Sequence, residues 1–241
     1  MTADSLADLR AQVADGCRVL AGRGLAPGIL GHISLRVDSS RLLVRCRGPR
    51  ERGLAHSTAE DIRLVDLDGD PGAPGELDHG YTVPFELPLH TAILRRSPDV
   101  SCVVHAHPRD VVVADLAGLP ILPIVGAFDI PGAALAAGGV PVFPRSALVH
   151  TERLGEAVAD ALGDRPVVVM RGHGLSSTGT SVAEAVLRAL SVDTLASLSL
   201  AIVSAGGTLQ PIAPEDLAEL PDLGSALNLS TAWRHELARL G

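Results

Sequence analysis

The sequence predicts an α/β fold, and three observations carry that prediction. Apolar residues recur at helical spacing in several separate stretches. Between them lie short β-branched runs, Val103-Val104 and Val167-Val168-Val169, and alternating segments at 28–37 and 62–68. Clusters of glycine and proline punctuate the joints, and no repeat or low-complexity segment interrupts the order. At 241 residues, a single domain spanning 1–241 is expected.

The first helix is expected over residues 4–23, where Leu6, Leu9, Val13, Cys17 and Leu20 share a face before Gly22 and Gly24 end it. Residues 28–37 then alternate, with Ile33, Leu35 and Val37 on one face and His32, Ser34 and Arg36 on the other, and Leu42 to Arg47 supplies a hairpin partner. Residues 48–61 form a loop. Ile62 to Asp68 is a strand ending at the turn Gly69-Asp70-Pro71-Gly72. A helix with proline in its first turn is expected from Val83 to Leu94; Glu86 and His90, four apart, share one of its faces, and their apolar neighbours favour burial. Ser101 to Val104 is a buried strand, and Arg109 to Ala117 a helix. Thr151 caps a helix over 152–162, Val167 to Met170 is a second buried strand, and 181–205 is the longest helical pattern. A short helix follows Pro211, and Trp233, the sole tryptophan, is expected to anchor a core or subunit contact.

The chemistry concentrates at the ends of the two buried strands. In Val103-Val104-His105-Ala106-His107-Pro108 the imidazoles are two apart, so in extended chain both leave the same face. A lone histidine there would be a core or capping residue, but a pair suits a divalent metal needing facial nitrogen ligands and an open position. Val167 to Met170 also ends in a histidine, His173, with Gly172 and Gly174 on either side to let backbone approach closely. Two such strand ends in one chain are hard to explain by packing.

The net charge of -8 and the lack of any basic cluster argue against nucleic acid or an anionic membrane as partner. All the basic residues are arginine, which with the many alanines and glycines reflects coding composition more than function. The N-terminal MTADSLADLR carries acids and no apolar core, so no signal peptide is expected, and no unbroken apolar run reaches the roughly 18 residues of a membrane span. Cys17, Cys46 and Cys102 are odd in number and widely spaced, as expected of free thiols in a reducing cytoplasm.

Five motifs resemble, in order, the class II aldolase/adducin family: G-H-I-S-L-R (31–36), E-D-I-R-L-V-D-L-D-G (60–69), P-F-E-L-P-L-H (84–90), V-V-H-A-H-P (103–108) and V-V-V-M-R-G-H-G-L-S-S-T-G (167–179). The resemblance implies a three-layer α/β/α fold around a largely antiparallel sheet, often assembled as a tetramer with sites at subunit contacts. It further implies that His105, His107 and His173 bind the metal, and that Glu86 can ligate the empty metal and act as acid/base with substrate. Phosphate-cradling features of the family's sugar-phosphate aldolases are missing: His32 replaces an asparagine, no Ser-Gly turn lies between Arg45 and Asp61, and Val83-Pro84-Phe85 replaces serines. Tyr81, the only tyrosine, lies away from where those aldolases place their proton donor. These departures resemble the branch that decarboxylates hydroxylated aromatic or pyridine carboxylates.

The expectation is therefore a lyase using one divalent ion per chain, Zn, Mn, Fe or Co, and no organic cofactor, on a small-molecule substrate. Glu86 beside Phe85 and Leu87 is expected to have a raised pKa and to shuttle the proton. His32, Ser34 and Arg36 are candidates to hold the substrate carboxylate, Arg36 by a bidentate fork, although Arg36 has a structural reading as well. His90 is a weaker candidate behind the site; His56, His79, His150 and His235 are assigned to the surface or an interface, His150 being the first exception to consider. Competing readings are aldol cleavage of an unphosphorylated hydroxy-carbonyl compound, iron-dependent oxygenation, and a binding role without catalysis, the last disfavoured by the retention of all three histidines.

Overall fold

The computed structural model describes residues 5–241. Its centre is a seven-stranded sheet of β1 (His32–Arg36), β2 (Arg41–Arg45), β3 (Ile62–Asp66), β4 (Cys102–Ala106), β5 (Val142–Phe143), β6 (Val167–Met170) and β7 (Gly174–Gly179). The spatial order is β3-β2-β1-β4-β7-β6-β5. Every neighbouring pair is antiparallel except β5 with β6. Helices α1 (Leu6–Gly22), α3 (Arg109–Leu116), α4 (Ile130–Ala136) and α6 (Val182–Ser204) cover one face, while α2 (Leu87–Arg96) and α5 (Glu152–Leu162) cover the other. Short helices α7 (Pro214–Glu219) and α8 (Ala232–Ala238) close the C-terminal part.

Period-two alternation explains the two cores. Cys102, Val104, Val167 and Val169 belong to the cluster under α1 and α6, whereas Val103, Val168 and Met170 belong to the cluster under α2 and α5. Burial on both faces is why these strands read as unbroken apolar runs. The expected hairpin between β1 and β2 is present, with Ser34 opposite Val44 and Arg36 opposite Leu42.

Several expectations need correction. The first helix begins at Leu6, capped by Ser5; residue 4 lies outside the described residues. α2 begins at Leu87 rather than Val83: Pro88 occupies its first turn, where no N–H is needed, and Pro84 instead takes part in a turn closed by Leu87 N–H. β7, β5 and α4 follow from no pattern noted in the sequence. α6 is long and apolar enough to cross a membrane by length and composition alone. Its Ala185, Val186, Ala189 and Leu195 are nonetheless buried against the sheet and neighbouring helices, as in a core helix. Trp233 packs on that same core.

Candidate metal centre

The polar face of β1 lies under α2. His32 and Ser34 are buried there, and His90, fully buried on α2, bridges them: its Nε2 lies 2.7 Å from His32 Nδ1 and its Nδ1 lies 2.7 Å from Ser34 Oγ. Ser34 is therefore occupied inside the protein, a correction to its assignment as a substrate contact. Arg36 also departs from that assignment. Its guanidinium donates to the carbonyls of Leu94 (2.5 Å), Ser97 (3.3 Å) and Val100 (3.1 Å), around the C-terminal end of α2, where a cation is favoured by the helix dipole and the unpaired carbonyls. Of the three candidates only His32 reaches the cavity.

One strand away, His105 at the end of β4 lies opposite His32 of β1 and opposite Ser176 of β7. His107 follows just beyond the strand. His173 arrives from the turn joining β6 to β7, where its N–H donates to Met170 O (3.0 Å). Gly172 takes a left-handed φ of 58°, and its N–H donates to the Asp115 carboxylate of α3 (2.8 Å). A side chain at Gly174 would stand 2.2 Å from Ala106 O, so only glycine permits this approach of the turn to β4.

The rings of His105, His107 and His173 form a nearly equilateral triangle, with centroids 4.7, 4.9 and 4.9 Å apart and planes crossing at 70–75°. Glu86, at the N-terminus of α2, completes the group. Its Oε2 is 3.3 Å from His105 Nε2 and 3.7 Å from His173 Nε2, and its Oε1 accepts from Val149 N–H at 2.9 Å. His105 and His107 bring their Nε2 atoms to 2.8 Å. Because His105 Nδ1 lies 3.0 Å from the carbonyl of Leu175, to which only an N–H can donate, its Nε2 is the ring nitrogen turned toward Glu86 and His107. All four ligand atoms lie within 4.8 Å of one another, so a modest contraction brings them to the spacing of roughly 3–3.5 Å that bonds of about 2.1 Å to one ion impose. Three imidazole nitrogens and a carboxylate oxygen fit one divalent cation of borderline hardness.

The electrostatics suit the same use. Burial, aided by the neighbouring His105 and His173, pushes His107 down to about 3, and burial also lowers His173 and moves His32 to about 4. All three are neutral near pH 7 and available as donors. For Glu86, burial acts upward, but the imidazoles of His105 and His32 and the N–H of Val149 outweigh it and hold the carboxyl well below the usual range. The expected upward shift of Glu86 is thus reversed: Phe85, the apolar neighbour invoked for it, is 76% exposed and points away from the core.

The cluster lies at a cavity of about 350 Å³ with an apolar wall of Leu30, Pro84, Phe85 and Leu148. Arg47, absent from the sequence-based candidates, also lines it. The available signal was a second arginine two residues past Arg45 at the end of an apolar strand. His56 lines a separate charged cleft together with Tyr81, whose ring lies under Arg63, and His150 sits in an adjoining surface groove.

Comparison with known proteins follows from this geometry. The model of the class II aldolase and adducin N-terminal domain matches residues 11–200. The chain belongs to this family. A 3,4-dihydroxyphthalate decarboxylase from Arthrobacter keyseri is 64% identical over 234 residues, covering 97% of this chain and 94% of the relative. The enzyme of the same description from Terrabacter sp. (strain DBF63) is 64% identical over 96% of this chain and 97% of its own length. Among solved structures, an aldolase II superfamily protein from Pseudomonas syringae superposes with a TM-score of 0.77 at 24% identity, covering 98% of this chain and 94% of that one, which bears on the fold. The three-layer class II aldolase fold and the resemblance to the family's decarboxylase branch are both borne out, and the chain takes its place among the family's carboxy-lyases.

Proposed function

We propose that the protein decarboxylates 3,4-dihydroxyphthalate, using one divalent cation held by His105, His107 and His173, with Glu86 as a fourth ligand only until substrate enters and frees its carboxylate. The observation that carries this reading is the convergence of those four donors on a small cavity with an apolar wall, in a chain so similar to enzymes of that description. When bound, the cation supplies Lewis acidity that steadies negative charge on the ring oxygen. Zinc, manganese, iron and cobalt all suit the donor set.

The remaining work falls to the chain's own groups. Glu86, held as a carboxylate, starts as a proton acceptor: it takes the proton of the 3-hydroxyl and delivers it to ring carbon 2, so that the electron pair of the broken C–C bond returns to the ring as CO2 leaves. His32, backed by His90, presents Nε2 to the cavity 3.8 Å from Glu86 Oε2 and orients the substrate oxygens. Leu30, Pro84, Phe85 and Leu148 flank the ring and keep water from the bond being broken.

The chain acts as one domain in the cytoplasm, a reading supported by its three buried free thiols. A tetramer is supported by Phe85 and Leu148, exposed apolar side chains at the cavity mouth that a second copy would cover.

The test is CO2 release from 3,4-dihydroxyphthalate by metal-loaded protein, with metal content measured in parallel for His107→Ala. About one ion per chain, lost with activity in the variant, is the expected result. Wild-type protein that takes up no metal after reconstitution, or that holds metal and releases no CO2, overturns the reading.

A further inference from the structure

Decarboxylation of a benzene-1,2-dicarboxylate removes one carboxylate and leaves the other on the ring throughout. The retained group is an anion that must enter a partly apolar cavity, and an unpaired charge there is costly. The cavity already contains one carboxylate, that of Glu86, and in the reading above the divalent ion serves the reacting end of the ring, so the retained carboxylate calls for a cation of its own.

Arg47 is the one arginine that lines this cavity. Its backbone is clamped by paired hydrogen bonds with Thr82, Arg47 N–H to Thr82 O and Thr82 N–H to Arg47 O, each 2.9 Å. The next residue, Gly48, packs so closely on Tyr81 that a side chain there would meet the ring at 2.5 Å. The position of Arg47 is thus built, not incidental. The arginines of the adjoining strands are engaged: Arg45 pairs with Glu51, Arg36 binds three carbonyls, and Arg63 lies over the Tyr81 ring at 3.6 Å, while Arg50 and Arg52 line a different cleft. Among the described residues no side-chain hydrogen bond or ion pair occupies the guanidinium of Arg47, although it is half-buried and shares the cavity with Glu86.

We infer that Arg47 grips the carboxylate the reaction retains and thereby selects ring dicarboxylates over ring monocarboxylates. The inference rests on the decarboxylase reading above. A planar guanidinium matches a carboxylate with two parallel hydrogen bonds, which fixes the ring's rotation in the cavity as well as its affinity. The charge on this carboxylate does not change as the other leaves, so the grip is equally strong before and during reaction. Such uniform binding acts on KM far more than on kcat.

The experiment compares kcat and KM for 3,4-dihydroxyphthalate and for 2,3-dihydroxybenzoate, the same ring without the retained carboxylate, in metal-loaded wild type, Arg47→Met and Arg47→Lys, with metal content checked in each. Wild type is expected to prefer the dicarboxylate by kcat/KM. Arg47→Met raises KM for the dicarboxylate about 10- to 100-fold with kcat within a few-fold, so the preference shrinks toward one. Arg47→Lys, a point charge without the fork, falls between. An Arg47→Met protein that keeps the wild-type preference, or loses kcat at unchanged KM, overturns the inference while leaving the decarboxylase reading intact. Wild type that releases CO2 from neither acid overturns both.

Discussion

His90 Nε2 lies 2.7 Å from His32 Nδ1, which couples a fully buried side chain of α2 to the one polar residue of β1 that reaches the cavity. Through its other nitrogen, His90 holds Ser34 Oγ at the same distance. The three residues form one satisfied polar chain inside an apolar layer, and removal of the middle member strands both ends.

Replacing His90 with phenylalanine keeps a planar ring, slightly larger than imidazole, but leaves Ser34 and His32 unpaired. The expected loss is about 1–3 kcal/mol of stability, with a fall of tenfold or more in turnover and retention of bound metal. Thermal denaturation, metal analysis and CO2 release together check this; unaltered turnover would show that the orientation of His32 does not matter.

Asp115 holds the turn that presents His173 through the N–H of Gly172. Asp115→Ala therefore loosens one metal ligand without touching it. Metal affinity should drop about 10- to 100-fold, the range found when groups supporting a ligand are removed. A competitive chelator titration reads that change, and equal affinity in the two proteins rejects the role of Asp115.

Gly155 of α5 lets α2 approach so closely that a side chain there would stand 2.2 Å from Pro88 O. Since Pro88 lies two residues after Glu86, the contact also fixes the start of the helix that carries the carboxylate. Gly155→Val is expected to cost about 2–3 kcal/mol by overpacking and to lower metal occupancy. Urea denaturation with and without metal measures both.

Asp193 of α6 gives a pH-dependent prediction away from the metal centre. Burial, together with the Asp110 charge, pushes its carboxyl up to about 6. A raised carboxyl favours the folded state when protonated, and that advantage disappears as pH rises through the folded value. The gain in stability from Asp193→Asn should therefore grow between about pH 4 and pH 6 and level off above, at about 1 kcal/mol after allowance for partial exposure. Denaturation midpoints of both proteins at pH 4, 6 and 7.5 test the sign.

That His105, His107 and His173 would meet in one cluster was legible because the signals are local. Period-two spacing puts His105 and His107 on one face, and glycines mark where His173 must approach other backbone. The three-layer fold followed from the order of motifs. β7 was hidden because Gly174-Leu175-Ser176-Ser177-Thr178-Gly179 carries almost no apolar content, although every one of its residues is buried between β4 and β6. Arg36 and Arg47 could not be separated by sequence: each follows a short apolar alternation, and only the packing of α2 gives Arg36 a set of carbonyls while Arg47, two residues past β2, lines the cavity. The direction of the Glu86 shift was likewise out of reach, since it depends on imidazoles brought from distant strands.

The short strand β5 has a consequence for how copies of the protein can meet. Only Val142 and Phe143 pair with β6, and Pro141 and Pro144 bracket them. Proline offers no N–H to a further strand, so this margin of the sheet resists growth by continued ladder pairing. A further strand added at that margin would find few N–H groups to pair with, so growth of the sheet beyond β5 is disfavoured.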